Sequence, residues 1–357
     1  MAEQLKNVYT KEYIRNLANK IKENYQKFDI DSFINSIFNP TWETLELKMR
    51  MRHIAIILNE YLPLPYKEQL EILKPTSKDF SGFEAMFFQD FVEVFGLEDF
   101  ENSIKALEVF TIDSSSEFAI RQFILKYEDE TMTQMKLWAK SENEHIRRLS
   151  SEGCRPRLPW AIALPKYKKN PLKVLEIIEL LKNDSSKYVQ KSVANNLNDI
   201  SKDNPLLVIE FVKNNLGKSK SLDWICKHAS RTLLKKGDTQ TLKLFGFLET
   251  NHIQIENFKV EDTVSLGEDL NFYFTLKSNQ NLGNIRVEYE IEYLKAKSKF
   301  SKKIFMIYQG EIKQNQKSFL KKQSFKNMTT RKHYLGEHFI SILINGKRKV
   351  KKSFLLG

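Results

Sequence analysis

The sequence predicts an all-α solenoid of HEAT-like repeats followed by a small all-β immunoglobulin-like sandwich, and three observations carry this. Apolar residues keep a helical spacing from residue 10 to about 250, with little glycine. Within that stretch three segments can be laid over one another, Ile146 to Glu152, Val189 to Asn195 and Ile225 to Arg231, at offsets of 43 and 36 residues, the period of two-helix repeats. After Phe258 the pattern changes to short runs of period two. The domains expected are residues 1–250, helical, and residues 256–357, β.

Taken in order, the helical part is punctuated at Pro40, Leu62 to Pro65, Pro75, Gly153 to Pro159, Pro165, Pro171, Asn204-Pro205 and Gly237, which leaves helices of roughly three to five turns. Stacked repeats bury their apolar faces on one another and line a concave surface with one helix of each pair. Arg148 and Glu152 are four residues apart, as are Lys191 and Asn195, Asn195 and Asp199, and Lys227 and Arg231, so each set shares a helix face and stacking would set the faces side by side. The β part contains alternating runs at Leu270 to Leu276, Ile285 to Tyr293, Lys303 to Tyr308 and His338 to Ile344, and about seven strands fit the remaining length.

Charge is divided along the chain. Residues 1–135 carry 15 Lys and Arg against 23 Asp and Glu, residues 136–236 carry 21 against 10, and residues 251–357 carry 20 against 10. Two basic segments therefore flank an acidic first third, and a polyanion is the partner such a distribution attracts. The stretch Lys295 to Lys332 alone holds 12 Lys and Arg and one acid, Glu311, with Phe300, Phe305, Tyr308, Phe319 and Phe325 interleaved, which reads as an edge facing DNA.

The densest chemistry lies at Ser151 to Trp160, Ser-Glu-Gly-Cys-Arg-Pro-Arg-Leu-Pro-Trp. Gly153, Pro156 and Pro159 end the helix that carries Arg148, leaving Glu152 on its last turn, the end of the helix dipole that disfavours an acid. Such a carboxylate is held for chemistry or for an arginine partner. Trp138 and Trp224 read as core. No Gly-rich phosphate loop, Walker motif or nucleophile elbow is present, and the six histidines do not cluster with cysteines or carboxylates at metal spacing, so no cofactor and no metal is expected. Cys154 and Cys226 lack redox or zinc spacing, no leader is evident, and no run reaches 18 apolar residues; a monomer of the reducing cytoplasm, away from membranes, is expected.

The residues Leu45 to His53, Ser116 to Phe123, His145 to Trp160, Ser192 to Asp199 and Trp224 to Arg231 resemble the AlkC branch of the bacterial alkylpurine DNA glycosylases, over about residues 40–250. The likeness is most specific around His145 to Trp160. Some members of that branch carry a C-terminal immunoglobulin-like domain, which the tail resembles. The resemblance implies excision of cationic N3-alkylated bases, 3-methyladenine and 3-methylcytosine, from duplex DNA without metal or cofactor. It implies Glu152 as the carboxylate that stabilises the oxocarbenium ion and places water, with Trp160 packing on the deoxyribose or the lesion; Glu117 is the candidate second carboxylate, and Asp199, by its place on the concave row, a third. Arg148, Arg155, Arg157, Lys191, Lys227 and Arg231 are assigned to phosphates, and no deep base-flipping pocket is expected. The alternatives are a non-enzymatic nucleic-acid-binding repeat scaffold and, least favoured by composition, a protein-interaction solenoid.

Overall fold

The computed structural model describes residues 4–327 and 332–357, and these form two compact units. The first comprises Met1–Val208 and Asn215–Ala229, the second Ile209–Asn214 and Ser230–Gly357. Sixteen α-helices precede the first strand among the described residues.

In the first unit the helices alternate one buried stripe with a solvated face. Helix Lys11–Asn24 buries Ile14, Leu17, Ala18 and Ile21, the spacing of a single apolar stripe. Side-chain caps start the repeat helices at equivalent places. Asn143 accepts from the His145 N–H ahead of helix Glu144–Gly153, and Ser186 accepts from the Tyr188 N–H ahead of helix Lys187–Ile200. Helix Lys187–Ile200 packs between Glu144–Gly153 and Lys220–Ala229, so the first two overlaid segments and residues 225–229 of the third lie side by side. Being the middle layer, it buries polar positions too: Ser192, Asn196, Asn198 and Asp199 are all inside.

Two local expectations need correction. Pro75 does not break the chain; it sits in the last turn of helix Tyr66–Ser77, where its missing N–H and ring cost a single backbone bond two residues before the helix ends. Lys227 and Arg231 do not share one helix face. Ser230, at ψ 0°, interrupts the helix, and Arg231 opens a separate helix, Arg231–Lys236, in the second unit.

The second unit is a two-sheet sandwich with eight strands among the described residues, where about seven were expected. They are β1 (Gln254–Val260), β2 (Thr263–Val264), β3 (Asp269–Lys277), β4 (Gly283–Leu294), β5 (Phe300–Ile312), β6 (Gln316–Ser324), β7 (Gly336–Ile344) and β8 (Lys347–Leu356). One sheet has the order β1-β3-β6 and the other β2-β8-β7-β4-β5, antiparallel except for β2 on β8. Alternate residues Leu270, Phe272, Phe274 and Leu276 of β3 face Ile285, Val287, Tyr289 and Ile291 of β4 across the core. The other face of β4 is charged and still buried. Arg286 pairs with Glu288 at 2.5 Å, Glu290 pairs with Arg348, and Glu292 takes Lys351 at 3.0 Å and Lys302 at 3.6 Å. Part of the basic tail is therefore spent inside its own sheet. Lys322 pairs with Asp269, and Lys317 lies 4.3 Å from the Tyr308 ring centroid. Arg331 of the basic stretch lies outside the described residues. The unit also includes helix Thr239–Leu244, and Leu234, Leu242 and Phe247 form a small apolar cluster of their own.

His338 is fully buried among Tyr293, Phe325 and Phe354. Its Nδ1 accepts the Leu294 N–H at 3.2 Å, so the proton resides on Nε2, which donates to the Tyr334 carbonyl at 2.9 Å. Burial holds this ring below the usual histidine range. The folded protein thus binds that proton less readily than the unfolded chain, and the stability it contributes is complete above about pH 6.5 and lost as the pH falls below that value. Urea denaturation at pH 7 and pH 5 is expected to show a smaller loss of stability on acidification in His338→Gln than in the wild type.

Candidate active site

The site is assembled by one buried cation. Arg121, on helix Ile120–Lys126, has no solvent exposure. Its Nε donates to the Ile162 carbonyl at 2.7 Å, and its Nη1 to the carbonyls of Gly153 and Arg155, both at 2.8 Å. Burial pushes its pKa down to about 10, so the group is still a cation at neutral pH. These bonds gather the segment that follows helix Glu144–Gly153 into a fixed loop. Gly153 lets the helix end come close: a Cβ there would lie 2.6 Å from Ile120 Cγ2 and 3.0 Å from Met135 Cε.

Around the start of this loop, residues of three helices and their flanks form a linear alternation of acids and guanidiniums. Arg148 Nη1 lies 2.6 Å from Glu117 Oε2, and its Nη2 lies 3.7 Å from Glu152 Oε1. Arg155 Nη1 lies 2.5 Å from the same Glu152 oxygen, and Arg155 Nε and Nη2 both reach Asp199 Oδ2 at 2.8 Å. Lys202 closes the far end on Asp199 Oδ1 at 2.8 Å. Ser192 donates to Glu152 Oε2 at 2.6 Å, and Ser115 donates to Glu117 Oε2 at 2.8 Å while accepting from Arg148 at 3.0 Å. Burial opposes the charge of Arg148 and of Arg155, but the neighbouring carboxylates outweigh it and raise both pKa values. Glu152 is 5% exposed and Asp199 2%, whereas Glu117 and Arg148 are the more open members. The Arg148 guanidinium also lies 4.9 Å from the Tyr188 ring centroid.

Trp160 departs from everything around it. Its indole is 69% exposed, and its backbone is left-handed at φ 63°, a conformation costly for any residue with a Cβ. Lys48 holds the turn by donating to the Trp160 carbonyl at 2.9 Å while lying 4.5 Å from the Phe118 ring centroid.

The structure thus brings Glu117, Arg148, Glu152, Arg155 and Asp199 into one network. It corrects the phosphate assignment of Arg155, which is buried and occupied on both sides by carboxylates. Arg157, half exposed, is paired with Asp203 through two bonds of 3.0 and 2.7 Å. Lys191 and Lys227 are exposed on helices Lys187–Ile200 and Lys220–Ala229. Sequence reasoning missed Arg121, Lys48, Ser115, Ser192 and Tyr188. It also misplaced Trp224, which is 44% exposed and not core. The signal was available: Leu222, Ile225, Cys226 and Ala229 form the buried i, i+3, i+4, i+7 stripe of that helix, and Trp224 and His228 stand off it. Trp138 is core as expected. Both thiols are buried and pushed up to about 12, which removes them as nucleophiles. Among the described residues no three His, Cys, Asp or Glu side chains are grouped to hold a metal, and no helix is long and apolar enough to cross a membrane.

A helical repeat unit bearing this network, followed in the chain by an immunoglobulin-like sandwich, defines a class, the DNA alkylation repair proteins. Residues 97–233 match the model of that name, "DNA alkylation repair enzyme", and residues 254–357 match the C-terminal Ig-like domain of YhaZ. Over 352 residues, 98% of both chains, the sequence is 44% identical to the Bacillus subtilis protein called uncharacterized protein YhaZ. The structure superimposes with a TM-score of 0.95 on the Pseudomonas fluorescens alkylpurine DNA glycosylase AlkC, solved bound to DNA containing an abasic site analog, at 35% identity over 99% of this chain and 100% of that one. The chain belongs to the AlkC family of DNA alkylation repair glycosylases.

Because Arg121 satisfies three carbonyls that no shorter or non-planar cation can reach together, Arg121→Lys is expected to cost about 2–4 kcal/mol of stability, measured by urea denaturation.

Proposed function

We propose that this protein is a DNA glycosylase that releases cationic N3-alkylated bases, 3-methyladenine and 3-methylcytosine, from duplex DNA. The single observation that carries the reading is Glu152, a carboxylate fixed at a helix C-terminus by Arg155, Arg148 and Ser192, at the start of the loop from which Trp160 projects. Alkylation makes the base a cation, so the bond between C1′ and the base nitrogen breaks with its electron pair neutralising the leaving base. No acid is needed for that step. What the protein must supply is negative charge beside the oxocarbenium ion and an oriented water.

Glu152 faces C1′ in this proposal and accepts the proton of the water that attacks it, leaving a free base and an abasic deoxyribose. Glu117 and Asp199 add negative charge on either side, each tied to Glu152 through one guanidinium. Arg155 acts through them as a positioning residue, holding Glu152 and Asp199 apart at fixed spacing. Arg148 is the movable link. It is partly open, and a DNA phosphate competes for its guanidinium, releasing Glu117 and Glu152 toward the developing cation. Trp160 lays its ring face against the deoxyribose or the lesion. Arg157, Lys191, Lys227 and Arg231 take phosphates, which sets register and makes affinity fall steeply with salt. The partner is alkylated double-stranded DNA, and one copy of the chain suffices.

Glu152→Gln preserves the shape and the bond from Ser192 while removing the charge. Base release from methylated duplex DNA, resolved by chromatography under single-turnover conditions, is expected to fall at least about 100-fold in this variant. Duplex affinity is expected to stay within about threefold. DNA binding without base release by the wild type would replace the enzyme with a nucleic-acid-binding scaffold.

A further inference from the structure

A second place in the first unit has the chemistry to take nucleic acid. Helices Lys187–Ile200 and Lys220–Ala229 leave between their N-terminal halves a cleft of about 610 Å³, lined by Lys187, Gln190, Lys191, Lys220 and Trp224 among others, with no acid in its wall. The three lysines have no carboxylate partner among the described residues. Trp224 is held flat against His228, with ring centroids 5.0 Å apart and planes 8° apart. His228 is itself anchored by a 3.1 Å bond from Nε2 to Asn195 Oδ1 on the neighbouring helix. One face of the indole is thus fixed in place, and its exposed part borders the cleft.

We infer that this cleft is a binding site for an unpaired nucleotide, whose base stacks on Trp224 and whose flanking phosphates sit between Lys187, Lys191 and Lys220. Each observed feature answers a need of that ligand. A base has a π-face and needs a rigid aromatic platform, and its backbone needs cations that are not already neutralised. A duplex backbone would use the lysines but leave a fixed, half-exposed indole without a purpose, since paired bases present edges and not faces. Lys191 lies eight residues before Asp199 on one helix, roughly 12 Å along its axis. The cleft would therefore receive a nucleotide flanking the carboxylate network and not one lying in it. The inference goes beyond the glycosylase reading and does not require it.

The test uses the full chain carrying Trp160→Phe. Trp42 and Trp138 are buried, which leaves Trp224 as the exposed indole of that protein. Titration with an eight-residue oligothymidylate is expected to quench the tryptophan emission. By anisotropy of the labelled oligonucleotide, Trp224→Ala is expected to weaken binding about tenfold and Trp224→Phe to restore most of it. Replacing Lys187, Lys191 and Lys220 together by Ala is expected to reduce the slope of log affinity on log salt by about 2. Binding without quenching, or equal affinity in Trp224→Ala, overturns the inference. Glu152→Gln separates the two readings, because it is expected to quench normally whether or not the wild type releases bases.

Discussion

Arg121 spends its guanidinium on main-chain oxygens of a single loop, and the site depends on that choice. A buried cation paired with a carboxylate would have cancelled one of the charges the site needs. By taking the carbonyls of Gly153, Arg155 and Ile162, it fixes the path of the chain through Trp160 and leaves Glu117, Glu152 and Asp199 to other partners. The absence of a side chain at Gly153 belongs to the same arrangement, since any Cβ would push the helix end away from Ile120 and Met135.

Three acids close together in a protein interior are costly unless each finds compensation. Here the compensation is shared. Arg148 and Arg155 each serve two carboxylates, and Lys202 terminates the series, so the acids are held near one another with their mutual repulsion screened. Of the two guanidiniums that bridge pairs of acids, that of Arg148 is the more open to solvent. The tail solves a similar problem differently: its charged face on β4 is closed upon itself, pairing Arg286, Arg348, Lys302 and Lys351 with three glutamates.

Much of this was legible because it is local. Helix ends, the change of period after Phe258 and the concentration of Glu152, Arg155 and Trp160 at one helix terminus are all written within a few residues. The role of Arg121 was not legible. Its partners are carbonyls 32 to 41 residues away, and a carbonyl has no identity in a sequence. Nor was the direction of Arg155, since an arginine three residues from a glutamate has the same pattern whether it turns inward or out to phosphate. Trp224 was misread for another reason: an aromatic residue beside an apolar stripe counts as apolar in composition, although one helical step carries it off the buried face. The left-handed backbone of Trp160 has no sequence mark at all, because that conformation is ordinarily the province of glycine.

The boundary between the two parts of the chain bears on how such a protein is inherited. The match to the DNA alkylation repair family ends at residue 233 and the match to the Ig-like domain begins at residue 254, where the first strand starts. A seam at that place lets the sandwich be gained or lost as a block without cutting a repeat.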